Sequence, residues 1–286
     1  MLTGIDVGEI DIKIAEKSSA LLKEINSKIY VNHQIDEALD SIAKFIFKEW
    51  FIDFGPVMAK GEGKKSFGID EKAAVLFPDS FEDSELGLIP KGWEIGNIGS
   101  IAEHIKRSLE PSELKEKQLL HYSLPNFDIG MNPKWEMSDT IMSNKFQVPI
   151  DSILFSKLNP RTPRVWITDH EESVINAIAS TEFIVLTAKE KHQKWFLYNL
   201  LKEKGLLDFM SQIATGTSNS HQRIRPESLM AYPIILPPVE LLKMFSMKVS
   251  TMYDQIITNR NESNSLVKMR DVLMPKLISG EINLRD

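Results

Sequence analysis

Cysteine is missing altogether from the 286 residues. Disulfides, thiolate zinc sites, iron–sulfur clusters and cysteine nucleophiles are therefore excluded. Long apolar runs are missing too. Even a short one such as Ala43–Ile46 is broken by Lys44, so no segment reads as a bilayer-spanning helix. The opening MLTGIDVGEID lacks a cationic stretch ahead of an apolar one, so it does not read as a secretory signal. The expectation is a cytoplasmic protein with no membrane partner. An excess of positive charge is also lacking. The net charge is −6 and the pI about 5.6. That argues against a generally basic nucleic-acid binder but leaves room for a local basic face. What is present is ordinary for a globular protein: 42% hydrophobic and 26% charged residues, enough to bury a core and to exclude disorder throughout.

Glycine and proline are absent from Glu16 to Phe54, up to Gly55-Pro56. Within this stretch Leu21, Leu22, Ile25, Ile29, Ile35, Leu39, Ile42, Ala43, Ile46 and Trp50 recur at steps of three and four, with one longer stride across Asn32. That spacing predicts one long amphipathic helix with a coiled-coil-like seam. At about 1.5 Å per residue it reaches roughly 60 Å. A second such stretch follows Leu236-Pro237-Pro238, where prolines suit a helix entry. Its stripe is Leu242, Phe245, Val249, Met252, Ile256, Leu266, Met269 and Leu273, and Pro275 is expected to end the helix or kink its last turn.

The two stretches align on each other. At a shift of 227 residues Leu22 meets Val249, Ile25 meets Met252, Ile29 meets Ile256, Asn32 meets Asn259, Leu39 meets Leu266 and Ile46 meets Leu273. One asparagine stands at the same seam position in both. A polar seam residue fixes register at some cost in stability. These twelve residues are the expected helix-packing or dimer contacts.

The middle has another texture. Residues 56–92 read as a linker with short turns. From Trp93 to Pro237 short runs rich in Val, Ile, Phe and Thr (Ile150–Phe155, Arg164–Thr168, Ser180–Thr187) alternate with Pro and Asn turn signals, interrupted by one helix over about Lys191–Ile213. The expected fold class is α+β: a mixed, partly β domain over 93–237 attached to two long helices, 1–55 and 238–286.

Catalytic signatures fail on inspection. Gly61-Glu62-Gly63-Lys64-Lys65-Ser66 lacks the spacing of a phosphate loop. His170-Glu171-Glu172-Ser173-Val174 lacks the second zinc-ligating histidine. Gly216-Thr217-Ser218-Asn219-Ser220 lacks the last glycine of a nucleophile elbow. Neither Asn132-Pro133 nor Asn159-Pro160 continues into an amino-methyltransferase loop. Histidines 33, 104, 121, 170, 192 and 221 show no metal-ligand spacing. A free-standing enzyme is the least favoured reading.

Two loops are basic, polar and constrained. In Ser156–Arg164, Lys157, Arg161 and Arg164 sit among Asn159, Pro160 and Pro163. In Ala214–Arg225, the residues Thr215, Thr217, Ser218, His221, Gln222, Arg223 and Arg225 occur with no acid among them. Such a mixture can donate to phosphate oxygens and read base edges. Residues 120–230 hold twelve Lys/Arg and twelve Asp/Glu, yet 141–166 hold four cations, Lys145 included, against Asp151 alone. A third loop, His121–Asp128, carries Tyr122 and Phe127, which fit either a core or a base-stacking role.

Several segments resemble the specificity subunit of type I restriction–modification systems. Asn32-His33-Gln34-Ile35 through Phe47-Lys48-Glu49-Trp50-Phe51-Ile52-Asp53-Phe54-Gly55-Pro56-Val57 is similar to that family's central helix and its exit. Leu76–Phe81 and Glu85–Trp93 look like the lead-in to its second target-recognition domain. Ser156–Arg161, Thr215–Ser218 and His221–Arg223 resemble recurring segments inside such domains. Leu266 to Ile282 is similar to the carboxyl-terminal helix and tail. The resemblance implies a target-recognition domain on antiparallel helices, and a non-catalytic subunit that reads one half of a split DNA target and scaffolds methyltransferase subunits. It implies double-stranded DNA, modification subunits, restriction subunits and a second copy or another specificity half as partners. It implies no cofactor on this chain, with S-adenosylmethionine bound by the methyltransferase. Full-length members carry two recognition domains, so the chain looks like the second half of such a subunit. It would read an interrupted palindrome as a homodimer, or else be a half or stored cassette that works only with a separate amino-terminal half.

Overall fold

The computed structural model describes residues 12–65, 69–114, 117–174, 176–215, 222–279 and 281–282, with backbone only for 12–15 and 278. They fall into two compact units: the described parts of Met1–Ile42 with Thr251–Asp286, and Ala43–Ser250. Two helices of 40 residues each, α1 (Ile12–Phe51) and a carboxyl-terminal one over Val239–Ile278, contribute to both units.

In the first unit the two helices run antiparallel. Residues 26, 28, 32 and 36 face 270, 262, 263 and 259 through side-chain contacts. The seam on α1 follows Ile25, Ile29, Asn32, Asp36 and Leu39, alternating steps of four and three. Ile25, Asn32, Ile256, Asn259 and Ser263 are buried there, while Leu22, Ile29, Leu39, Met252, Leu266 and Leu273 are half-buried. Ile46 and Val249, the remaining two of these twelve residues, lie in the second unit, half-buried and buried. Ile35 and Ile42, read from the sequence as seam residues, are instead 41% and 47% exposed. The seam passes through polar Asp36, which an apolar-only reading skips.

The asparagines are used reciprocally. Asn32 Nδ2 donates to Ser263 Oγ at 3.2 Å, and Asn259 Nδ2 donates to Asp36 Oδ1 at 2.8 Å. Asp36 and Ser263 are themselves equivalent under the shift of 227 residues that separates Asn32 from Asn259. Each asparagine thus reaches the residue one turn beyond its counterpart on the other helix.

In the second unit, α1 ends in an aromatic nest. The Phe51 ring lies 5.5 Å from Phe47, 6.1 Å from Trp93 and 5.1 Å from both Phe196 and Phe245. Phe54 then takes a left-handed φ of 53°, and α2 (Gly55–Gly61) starts at once, with Pro56 in its first turn where no amide hydrogen is needed. The stretch 56–92 is therefore not a bare linker. It holds α2, α3 (Glu71–Leu76), capped by Asp70, and a hairpin of β1 (Phe81–Ser84) and β2 (Gly87–Pro90) turning at Gly87, whose φ is +91°. The short apolar runs among its charges were too brief to show a period.

Residues 94–236 build β3 (Glu94–Asn97), α4 (Ile98–Ile101), β4 (Ala102–Ile105), β5 (Ser108–Leu109), β6 (Gln118–Tyr122), α5 (Leu124–Asp128), β7 (Lys134–Met137), β8 (Lys145–Gln147), β9 (Ile153–Ser156), β10 (Val165–Ile167), β11 (Ala177–Ser180), β12 (Phe183–Ala188), α6 (Lys194–Leu200), α7 (Lys204–Ile213), α8 (Pro226–Met230) and β13 (Pro233–Leu236). One sheet has the order β10-β9-β12-β4, all antiparallel. The other has the order β5-β8-β11-β6-β7, with β11 parallel to β6. Strands β3 and β13 pair with each other, joining the start of this region to its end. The core between the sheets holds Leu120, Tyr122, Leu154, Trp166, Phe183 and Val185. Tyr122 belongs to it fully, packed edge-on to Trp166 at 4.8 Å.

One helical expectation needs correction. The single helix read over Lys191–Ile213 is two, broken at Leu201–Glu203, where Lys202 N and Glu203 N bond three residues back, to Asn199 O and Leu200 O. The halves differ in burial: α6 is apolar and buried almost all round, whereas α7 buries only Leu206 and Met210. One straight helix would have to expose part of the first or bury part of the second. Pro275 stands in the last turn of the carboxyl-terminal helix α9 (Val239–Ile278), which stops three residues beyond it. The fold as a whole is α+β.

Candidate nucleic-acid interface

Two of the polar loops predicted from the sequence, far apart along the chain, lie against each other. Lys157 O accepts from Ile224 N at 3.0 Å, Asn159 N donates to Gln222 O at 2.9 Å, and Leu158 bridges Arg223. Arg223 also pairs backbone to backbone with Thr215, at 2.9 and 3.2 Å. The loop after β9 is thereby zipped to the segment between α7 and α8. Thr217, Ser218 and His221 lie outside the described residues.

Local chemistry shapes the first loop. Ser156 Oγ accepts from Leu158 N and donates to Leu158 O, at 3.2 and 3.0 Å. Asn159 adopts φ 51°, a left-handed conformation that asparagine tolerates better than most residues. Thr162 N then closes a turn on Asn159 O at 2.9 Å, with Pro160 and Arg161 at its corners. Arg161 points into solvent. Arg225 is likewise exposed, at the start of α8. Neither makes an ion pair among the described residues.

The other cations are engaged. Arg164 holds Asp128 with two bonds, Nε to Oδ1 at 2.7 Å and Nη2 to Oδ2 at 3.0 Å. This ties the first loop to the third, at the end of α5. Arg223 holds Glu182 in the same way, Nε to Oε2 at 3.1 Å and Nη2 to Oε1 at 2.8 Å. That bond keeps the Glu182 carboxyl below the usual carboxylate range. Lys157 is half-buried, its ammonium 5.3 Å above the Phe146 ring. Burial lowers its pKa, Arg223 pushes the same way and Glu182 opposes. Lys145 lies on β8, next to the Phe146 ring that Lys157 covers. It is 7% exposed and bonded to Ser143, with burial lowering its pKa. Phe127 packs half-buried on the core, 5.8 Å from Trp166.

Sequence reasoning did not foresee that Asp128, at the end of the third loop, and Glu182 hold two of these arginines. It also passed over Lys202 and Lys204, which line a groove of about 560 Å³ with Pro160, Arg161, Ser211 and Gln212. Their signal, two lysines at a helix start, is common to many surfaces. Among the described residues, no group of three or more His, Asp or Glu side chains could hold a metal ion. No described helix is long and apolar enough to cross a membrane.

Comparison with known proteins gives a consistent picture. The model for the type I restriction modification DNA specificity domain matches residues 90–266. The chain is 23% identical to the type I restriction enzyme HindI specificity subunit of Haemophilus influenzae, over 98% of this chain and 71% of that one. It is 27% identical to the MjaIX specificity subunit of Methanocaldococcus jannaschii, over 95% of this chain and 59% of that one. A crystal structure of a type I restriction–modification S subunit from M. genitalium superimposes with a TM-score of 0.51 at 15% identity, covering 93% of this chain and 59% of that one. The chain therefore spans between about three fifths and seven tenths of these relatives.

Proposed function

The chain belongs to the type I restriction–modification DNA specificity family, and from that premise we propose that it is the sequence-reading subunit of such a complex and catalyses nothing itself. The zipped loops, Ser156–Arg164 and Thr215 with Gln222–Arg225, form the reading surface. The observation that carries this is their convergence: backbone bonds place Lys157, Asn159, Arg161, Gln222, Arg223 and Arg225 on neighbouring segments although sequence separates them. Free Arg161 and Arg225 meet phosphates, and the groove lined by Lys202 and Lys204 extends that contact. The paired arginines and the amides address base edges.

The helix pair serves as the scaffold on which methyltransferase subunits dock, those subunits carrying S-adenosylmethionine and restriction subunits joining them. One reading surface per chain addresses one half of a bipartite target. Two chains related by a twofold axis would address an interrupted palindrome. The test combines the protein with its methyltransferase subunits and reads the methylated motif by single-molecule sequencing, with an electrophoretic shift on the same DNA. A gapped motif that is lost when Arg161, Arg223 and Arg225 are replaced supports the reading. An unaltered motif removes these loops from it.

A second reading rests on the share of the relatives that the chain spans: a half subunit that works only with a separate amino-terminal half. Light scattering separates the two. A stable dimer of twice 32.6 kDa favours self-association; a monomer that pairs only with another half favours the second reading.

A further inference from the structure

The two arginine–carboxylate pairs share one geometry. In both, the arginine uses its side-on edge, Nε and Nη2, and in both a carboxylate takes the two bonds in parallel. A guanidinium has a second, end-on edge made of Nη1 and the remaining hydrogen of Nη2. That edge has no protein partner in either residue among the described residues. Its two parallel donors match the O6 and N7 acceptors of guanine in the major groove. Arg223 stands on the zipped loops with half its side chain exposed; Arg164 is more enclosed, at 16%.

We infer that Glu182 and Asp128 are positioning residues. Each clamps the side-on edge of its arginine, Arg223 and Arg164, so that the end-on edge is presented to a guanine in the target. The inference rests on the reading surface proposed above and names the base class it accepts. An unclamped arginine samples many rotamers and loses that freedom on binding; a clamped one has lost it already. The clamp also explains acids on a surface meant for a polyanion. They contribute nothing to phosphate contacts, so their role lies in holding the fork. Both carboxylates stand on anchored segments. Glu182 lies in the turn between β11 and β12, and its carbonyl accepts from Lys157 N at 2.7 Å, so the turn that carries the clamp is bonded to the loop it serves. Asp128 closes α5, whose start is fixed by the Ser123 cap.

The test uses the full chain with its methyltransferase subunits and compares methylation of the native target with targets in which each guanine is replaced in turn. Glu182→Gln keeps the shape of the side chain and removes its charge. The expected result is a loss of discrimination of roughly tenfold or more at one guanine, with the salt dependence of binding unchanged. Arg223→Ala should lose discrimination at the same guanine, and the double variant should be no worse than Arg223→Ala alone. Should Glu182→Gln fail to fold, Arg223→Lys, which keeps the charge but not the fork, carries the same expectation. Equal weakening on all targets, additive effects in the double variant, or unchanged discrimination in Arg223→Ala would each overturn the clamp. A wild-type complex with no target preference would instead overturn the proposed function beneath it.

Discussion

Replacing Asn32 by leucine should stabilise the helix pair, although it deletes hydrogen bonds. Asn32 is fully buried, and its Nδ2 faces Ser263 Oγ at 3.2 Å, Asn259 O at 3.4 Å and Glu262 Oε2 at 2.8 Å. Two hydrogens cannot serve three acceptors, and Glu262 can turn to water. The net worth of the two bonds to buried partners is about 1 kcal/mol each. Against this, Asn32 Oδ1 is buried without a partner, which costs about 1–3 kcal/mol. The polar balance of the side chain is thus near zero. A leucine removes both sides of it and adds roughly 2 kcal/mol of apolar burial; Ser263 can then bond the carbonyl four residues back. Asn32→Ala loses the bonds and leaves a gap, for a loss of about 1–2 kcal/mol. The expected order of thermal stability is leucine, wild type, alanine. The leucine variant should also broaden in size by light scattering, since an apolar seam tolerates other registers. A leucine variant less stable than alanine would refute the reasoning.

Phe51→Ala should destabilise the unit that holds the aromatic nest by about 3–5 kcal/mol, read as a fall in its denaturation midpoint, because Phe51 is 5% exposed and packs against five other rings; a loss below 1 kcal/mol would contradict that packing. Arg161→Gln with Arg225→Gln should reduce the slope of log affinity against log salt by about 2 and leave the methylated motif unchanged, as a shift assay over several salt concentrations will show. Burial holds the His121 imidazole below its ordinary value of 6.5, the Glu136 bond only partly opposing. Unfolded chains therefore take up the proton first as pH falls, so stability is complete above about pH 6.5 and declines below it, and His121→Gln should flatten that part of a melting-temperature profile.

The long helices were legible because nothing interrupts them and their apolar period is sustained. The seam itself was legible only where it is apolar: Asn32 was seen as an exception inside the stripe, but Asp36 was not, since a carboxylate at a packing position has meaning only once Asn259 is seen opposite it. Strands β9, β10 and β12 announced themselves by β-branched runs between turn residues. The partition of 56–92 into helices and a hairpin did not, because α2, α3, β1 and β2 are four to seven residues long, shorter than a period needs. The basic loops were visible as composition. Their adjacency was not, for it depends on backbone bonds between Lys157 and Ile224 that no local pattern encodes. Charge counting likewise could not show that Glu182 and Asp128 are bonded to Arg223 and Arg164, since those pairs too join distant segments.

The reciprocal asparagines carry a consequence for which helix can lie across α1. Whichever helix faces α1, Asn32 needs an acceptor one turn past the facing asparagine, and both Asp36 and Ser263 supply one. At these two positions the helices are interchangeable, but the Lys28–Glu262 and Asn26–Arg270 contacts have no counterpart under the shift of 227 residues and mark α9 as the helix opposite α1. A helix that faces α1 must therefore supply both the acceptor after its asparagine and these one-sided partners, as α9 does.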